Sequence, residues 1–271
     1  MVFLICIIIG VLTAFVGALM GLGGGIVLIP SLLFLAQISD AFTWVTPQTV
    51  VGISLIAMVF TGLSSTIAYL KSGRVDYRTG LWFVLGSVPG GMIGSWLNQF
   101  VEIESFQLYF GLLIIIVSLL FFLKRKTVKS NLTPKKRSRQ FELEGEVYTY
   151  YVPLGVAFFV SLAVGTLSGL FGIGGGSIMV PAMILLFGMP AHVATATSMF
   201  MIFFVSIFGA VSHISLGHIV WEYALFFIPG AWIGGKLGAK VNQRLTGKTL
   251  EWILRIVLVL IGIRMIYQGL I

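Results

Sequence analysis

Two stretches of the chain, Leu19-Met-Gly-Leu-Gly-Gly-Gly-Ile-Val-Leu-Ile-Pro30 and Leu170-Phe-Gly-Ile-Gly-Gly-Gly-Ser-Ile-Met-Val-Pro181, decide its fold. Six positions, five of them Gly or Pro, are identical at a constant offset, which points to a duplicated unit. Three successive glycines break a helix and let the backbone take positive φ or meet a neighbour closely. Both breaks lie among long apolar runs. In a bilayer they are tolerated only where the freed backbone groups meet protein, water or ligand.

Working outward, apolar runs occupy about 2–20, 26–38, 49–70, 79–97 and 106–123, then 152–170, 177–188, 193–215, 222–240 and 250–268. Of the 271 residues 58% are apolar and 10% charged, a balance that a water-soluble fold of this size would not carry. The bilayer is therefore the solvent. The first run has no Lys or Arg before it and no small-residue cleavage site, so it reads as a retained membrane helix rather than a secretory leader. The runs make five segments and five. The second of each set is too short for a perpendicular crossing of about 20 residues and must start inside the membrane to traverse it.

Other repeated elements follow. Tyr69-Leu-Lys-Ser-Gly-Arg-Val matches His213-Ile-Ser-Leu-Gly-His-Ile, and Pro89-Gly-Gly-Met-Ile-Gly94 matches Pro229-Gly-Ala-Trp-Ile-Gly234. The basic residues switch sides between the halves. Lys71, Arg74 and Arg78 flank a connection whose counterpart, 216–221, has no Lys or Arg; 98–105 has none, whereas its counterpart carries Lys236, Lys240, Arg244 and Lys248. Under the positive-inside rule the halves are then upside down relative to each other. The reading is an all-α polytopic transmembrane helical bundle of two inverted repeats, about five segments each, with both termini outside. A parallel arrangement with re-entrant short segments is the alternative.

The expected organisation is a first transmembrane repeat at 1–123, a basic cytoplasmic linker at 124–150 and a second repeat at 151–271. Eight of the seventeen Lys and Arg residues fall between Lys124 and Arg139, so the net charge of +8 is a local feature suited to anionic lipid rather than to nucleic acid. Glu142, Glu144 and Glu146 follow, and the stretch reads as a plain solvated connector. Arg255 and Arg264 of the last run are placed to snorkel towards the interfaces.

After each glycine turn a short helix begins, so its unpaired N–H groups and the positive end of its dipole point back at the turn, where an anion is stabilised. The substrate site expected from this comprises Gly23, Gly24 and Gly25 with Gly174, Gly175 and Gly176. Thr195, Thr197 and Ser198, and Ser54 in the thinner first-half counterpart, would add hydroxyl donors. Each of these hydroxyls could equally serve helix packing. His192 and His213 are candidate proton or anion contacts. The later glycines, 230–238, read as close helix packing. No paired carboxylates, Ser-His-Asp set, metal-ligand spacing or nucleotide-binding loop stands out, and the lone Cys6 offers neither a disulfide nor a metal cluster. No enzymatic activity, cofactor or metal is expected.

The two glycine-turn-proline motifs, the duplicated small-residue segments and the Pro-Gly-x-x-Ile-Gly pairs together resemble the sulfite exporter TauE/SafE family, over essentially the whole chain. The resemblance implies a transporter of the bacterial cytoplasmic membrane for sulfite, sulfoacetate or another small sulfur-containing anion. It also implies eight or nine helices, against the ten segments read here. An anion channel and a non-catalytic membrane partner subunit are the other functional readings. A coupling proton or cation fits import. Export is already favoured by an inside-negative potential, at about 2.3 kcal/mol per charge per 100 mV. The oligomeric state is open.

Overall fold

The computed structural model describes residues 2–120, 139–143 and 145–246, with isolated positions of the last segment between 249 and 263. Lys124 to Arg137 of the basic run, Glu144, Lys248, Arg255 and Arg264 lie outside the described residues. The order is α1 (Val2–Met20), α2 (Gly25–Ile38), a 3-10 turn at Asp40–Phe42, α3 (Pro47–Lys71), α4 (Tyr77–Asn98) and α5 (Ile103–Leu120). Then come strands β1 (Arg139–Leu143) and β2 (Glu146–Tyr150), α6 (Leu154–Phe171), α7 (Gly176–Leu185), α8 (Ala191–Ser215) and α9 (Trp221–Asn242). Of the described helices, α1, α3, α4, α6 and α8 are long and apolar enough to cross a membrane. The fold is an all-α membrane bundle, and the helix bounds follow the apolar runs to within a few residues.

Local chemistry sets the boundaries. Thr46 and Thr49 form a reciprocal capping box ahead of α3, with Pro47 at its first turn. Asp76 caps α4 by accepting from the Thr79 amide. Helices α2 and α7 start from glycines in the left-handed region, Gly24 at φ 106° and Gly175 at φ 69°, which side chains disfavour.

Glycine also sets the packing. A Cβ on Gly230, Gly234 or Gly238 of α9 would run into the carbonyls of Ile7, Val11 and Phe15 in α1. On Gly86, Gly90 or Gly94 of α4 it would run into those of Phe158, Leu162 and Thr166 in α6. Without a hydrophobic driving force between helices in lipid, backbone approach of this kind is what holds them together. The residue numbers rise together, so α1 runs parallel to α9 and α4 parallel to α6. Each pair joins one helix from each half, and the halves are interlaced.

The contacts correct one part of the sequence alignment. Gly86, Gly90 and Gly94 play the parts of Gly230, Gly234 and Gly238, an offset of 144 residues, and α3 and α8 of 25 residues and α4 and α9 of 22 share that offset. Aligning the two Pro-Gly-x-x-Ile-Gly motifs places them one helical turn out of register. Packing depends on which glycine faces the neighbour, and four residues along a helix return nearly the same face.

Helices α3 and α8 pack centrally. Gly52 lies beside His213, Gly209 beside Leu55 and Gly62 beside Phe203, so the two equivalent helices run antiparallel. Along their outer faces α4 presents Leu81, Trp82, Leu85, Met92, Ile93 and Trp96, all exposed, which is the surface a bilayer covers.

Strands β1 and β2 pair antiparallel around Gly145. The sequence reading of a plain connector does not anticipate this hairpin. It docks on α4, where Asp76, 1% exposed, accepts from Arg139 Nε at 2.9 Å and Nη2 at 2.8 Å, from Tyr150 Oη at 2.6 Å and from Thr79 Oγ1. Burial pushes the Asp76 carboxyl up, but these hydrogen bonds outweigh it and hold the group below the usual carboxylate range.

Candidate functional site

The chain folds back after Met20. The amides of Leu22 and Gly23 donate to the Gly17 carbonyl, and Gly24 comes to lie against Thr13, so α2 begins inside the bundle beside the middle of α1. It then returns towards the end at which α3 starts. The second turn does the same: Gly172, at φ 66°, ends α6, and Gly175 starts α7 beside Val164 and Ser168.

The two turns meet. A Cβ on Gly25 would enter the Gly172 carbonyl and one on Gly176 the Gly21 carbonyl. Gly23 and Gly174 both face the Met58 sulfur and the Ile202 side chain. Met58 and Ile202 are themselves equivalent at the 144-residue offset and sit near the middle of α3 and α8. Six glycines expected from sequence as one site are thus brought to one place, deep in the bundle.

Hydroxyls join the turns across the halves. Ser54 of α3 donates to the Gly172 carbonyl at 2.8 Å, and Ser198 of α8 donates to the Gly21 carbonyl at 2.5 Å. These are the same bond made twice, by equivalent serines to equivalent carbonyls of the opposite half. Ser54 and Ser198 therefore spend their protons on the turns in this state. Thr197 Oγ1 accepts from the Asp76 amide at 3.1 Å, while Thr195 Oγ1, packed by Gly21, is fully buried and has no partner among the described residues. The Ser168 and Ser177 hydroxyls, flanking the second turn, are likewise buried and have no partner among the described residues.

The backbone is also short of partners. The amides of Gly25 and Ile26 at the start of α2, and of Gly176 and Ser177 at the start of α7, make no hydrogen bond among the described residues. Helix N-termini leave such donors everywhere, but water or a capping side chain usually meets them, and neither cap has a side chain to offer. Buried, unpaired donors in the first turns of two short helices inside a membrane suit an anion.

Sequence reasoning missed the asparagines. Asn98 Nδ2 donates to the Leu170 carbonyl at 2.8 Å and Asn242 Nδ2 to the Leu19 carbonyl at 2.6 Å, so the last residues of α4 and α9 tie down the carbonyls just ahead of each turn. Tyr69 Oη similarly holds the Ala18 carbonyl at 2.8 Å. The signal was present as the same residue at both helix ends, but only at the corrected offset.

The histidines lie near opposite ends of α8, and His213 sits against the Gly169 backbone, three residues ahead of the Gly172 turn. His192 Nδ1 lies 3.2 Å from Arg74 Nη1 and 3.5 Å from Asn242 Oδ1, at one end of the bundle. His213 is buried at the other end, its Nδ1 3.0 Å from that of His218. No group of three or more His, Cys, Asp or Glu that could hold a metal occurs among the described residues.

Comparison with known proteins gives this geometry its context. The family model described as sulfite exporter TauE/SafE matches residues 6–265. The chain belongs to this family. It is similar to the probable membrane transporter protein YunE of Bacillus subtilis strain 168, 50% identical over 270 residues that cover 99% of each chain. It is also similar to a probable membrane transporter protein of Xylella fastidiosa strain Temecula1, 28% identical over 96% of this chain and 93% of the relative. A third relative is the probable membrane transporter protein MJ0441 of Methanocaldococcus jannaschii, 26% identical over 96% and 94%. No solved structure matches. As a TauE/SafE protein the chain is a multi-pass integral membrane protein of the cell membrane, and family and relatives point to transport rather than catalysis.

Proposed function

We propose that this TauE/SafE protein carries a small anion, sulfite or another small sulfur-containing oxyanion or organosulfonate, by alternating access around the crossing of its two glycine turns. The observation that carries the reading is the pair of short helices whose N-termini face each other inside the bundle with their first amides unpaired. A small oxyanion would take those amides, and its charge would be met by two helix dipoles instead of by a fixed cation. Thr195, Ser168 and Ser177 would supply side-chain donors, and Ser54 and Ser198 would do so when released from the turn carbonyls.

The antiparallel packing of equivalent helices α3 and α8 supports inverted repeats, because a two-fold axis along the membrane normal would make them parallel. The glycine-packed pairs α1–α9 and α4–α6 are the natural rigid groups. Rocking one against the other about α3 and α8 would open the turns to each side in turn, with Met58, flexible and unbranched, yielding first. The repeats 1–123 and 151–271 and the cytoplasmic placement of 124–150 belong to this reading, as does a coupling proton or cation for import.

The test is uptake of labelled sulfite into proteoliposomes under an imposed potential, with sulfate, thiosulfate and a sulfonate as competitors. Saturable flux that competitors reduce is the expected result. Flux that rises linearly with substrate would indicate a channel, and no movement of any anion in either potential direction would remove the proposal.

A further inference from the structure

Away from the turns, a pocket of about 450 Å³ opens laterally between the C-terminal ends of α3 and α9. Three ammonium groups line it: Lys71 in the last turn of α3, and Lys236 and Lys240 on α9. All three residues are exposed, the lining includes no carboxylate, and none of the three forms an ion pair among the described residues. Lys236 and Lys240 are four apart on one helix face, a spacing at which like charges repel. Behind the pocket, the buried Arg74 donates to the Gln243 carbonyl at 3.1 Å and adds to the same field.

The remaining wall is of a different kind. Ile67 and Trp232 line the pocket at 39% and 40% exposure, and Trp232 continues into the exposed apolar residues Ile233 and Leu237 of α9. A hydrated free ion gains nothing from such a wall, whereas a lipid glycerol and acyl chain do. Tryptophan beside lysine at a helix end is the composition of the headgroup level. Ser72 and Gln243 add hydrogen-bonding groups between the cations.

We propose that this pocket binds the phosphate headgroup of an anionic phospholipid, its acyl chains lying along Trp232 and α9. The site takes its charge complementarity from Lys71, Lys236 and Lys240 and is separate from the glycine turns. It rests on the membrane-spanning reading alone, so its failure would leave the transport proposal untouched. Each lysine near an anionic surface strengthens binding about fivefold, so removing three should weaken it on the order of a hundredfold.

Purified full-length protein in detergent would be titrated with phosphatidylglycerol, phosphatidylcholine or inorganic phosphate and analysed by native mass spectrometry. Wild type should retain phosphatidylglycerol at least tenfold more tightly than phosphatidylcholine. Lys71→Gln/Lys236→Gln/Lys240→Gln should bring the two lipids level, and Arg78→Gln, at an exposed residue that does not line the pocket, should keep the preference. Single Lys240→Glu provides a milder variant with the same direction. Equal retention of the two lipids by wild type, or an undiminished preference in the triple variant, would overturn the proposal. So would inorganic phosphate binding the lysines as tightly as the lipid does, because the ligand would then be a soluble anion.

Discussion

Replacing Ser54 or Ser198 by alanine tests the exchange of hydroxyls between the halves. Each serine hydroxyl is the hydrogen-bond partner found for one turn carbonyl, Gly172 or Gly21, and both serines are fully buried. A buried carbonyl left without its donor costs about 1–3 kcal/mol. For a chain of this size that is about 2–4 °C in Tm per kcal/mol, so each variant should melt several degrees lower. Because the two bonds are equivalent, the two losses should be of similar size. Thermal unfolding in one detergent, followed by intrinsic tryptophan fluorescence, measures both. If one variant melts within a degree of wild type while the other falls by five, the equivalence of the turns is wrong, whatever the flux.

Other predictions follow from particular contacts. Gly94→Ala and Gly238→Ala should each destabilise by about 1–3 kcal/mol through overpacking against Thr166 and Phe15, whereas Gly155→Ala, with nothing within 4 Å, should be near neutral in the same melt. Asp76, its carboxyl held low, contributes stability that is full above the unfolded value of about 4 and is lost as pH falls through the lower folded value. Wild type should therefore lose stability in a step below about pH 4 that Asp76→Asn lacks, measured as Tm against pH. In sealed vesicles, cysteines at Lys71 and Arg244 should react with an impermeant maleimide from one side and those at Asp40 and Leu216 from the other. Cys6, being buried, gives a low background.

Much of this was legible in the sequence because the bilayer imposes simple rules. Run length located the helices to within a few residues, and three glycines in an apolar run marked breaks that only a close partner could satisfy. What pairs with what was less visible. That Ser54 serves Gly172 and Ser198 serves Gly21 depends on the interlacing of the halves, and a chain-order reading keeps each half to itself. Met58 and Ile202 are ordinary core residues by type, distinguished only by lying where both turns meet. The Asp76–Arg139–Tyr150 cluster joins residues 63 and 74 positions apart. Its hairpin is a short alternation of charged and aromatic residues beside a basic run, where charge dominated the reading.

The most direct test of the central claim, that the crossed glycine turns hold the anion, is sulfite flux in proteoliposomes carrying Gly24→Leu or Gly175→Leu. Both glycines sit at positive φ with Thr13 or Val164 close by, so a leucine would displace the first amides of α2 or α7. Saturable uptake by wild type and loss of flux in both variants, with insertion matched by gel and by maleimide accessibility, is the predicted result. Near-normal flux in both would place the anion's path elsewhere and contradict the account.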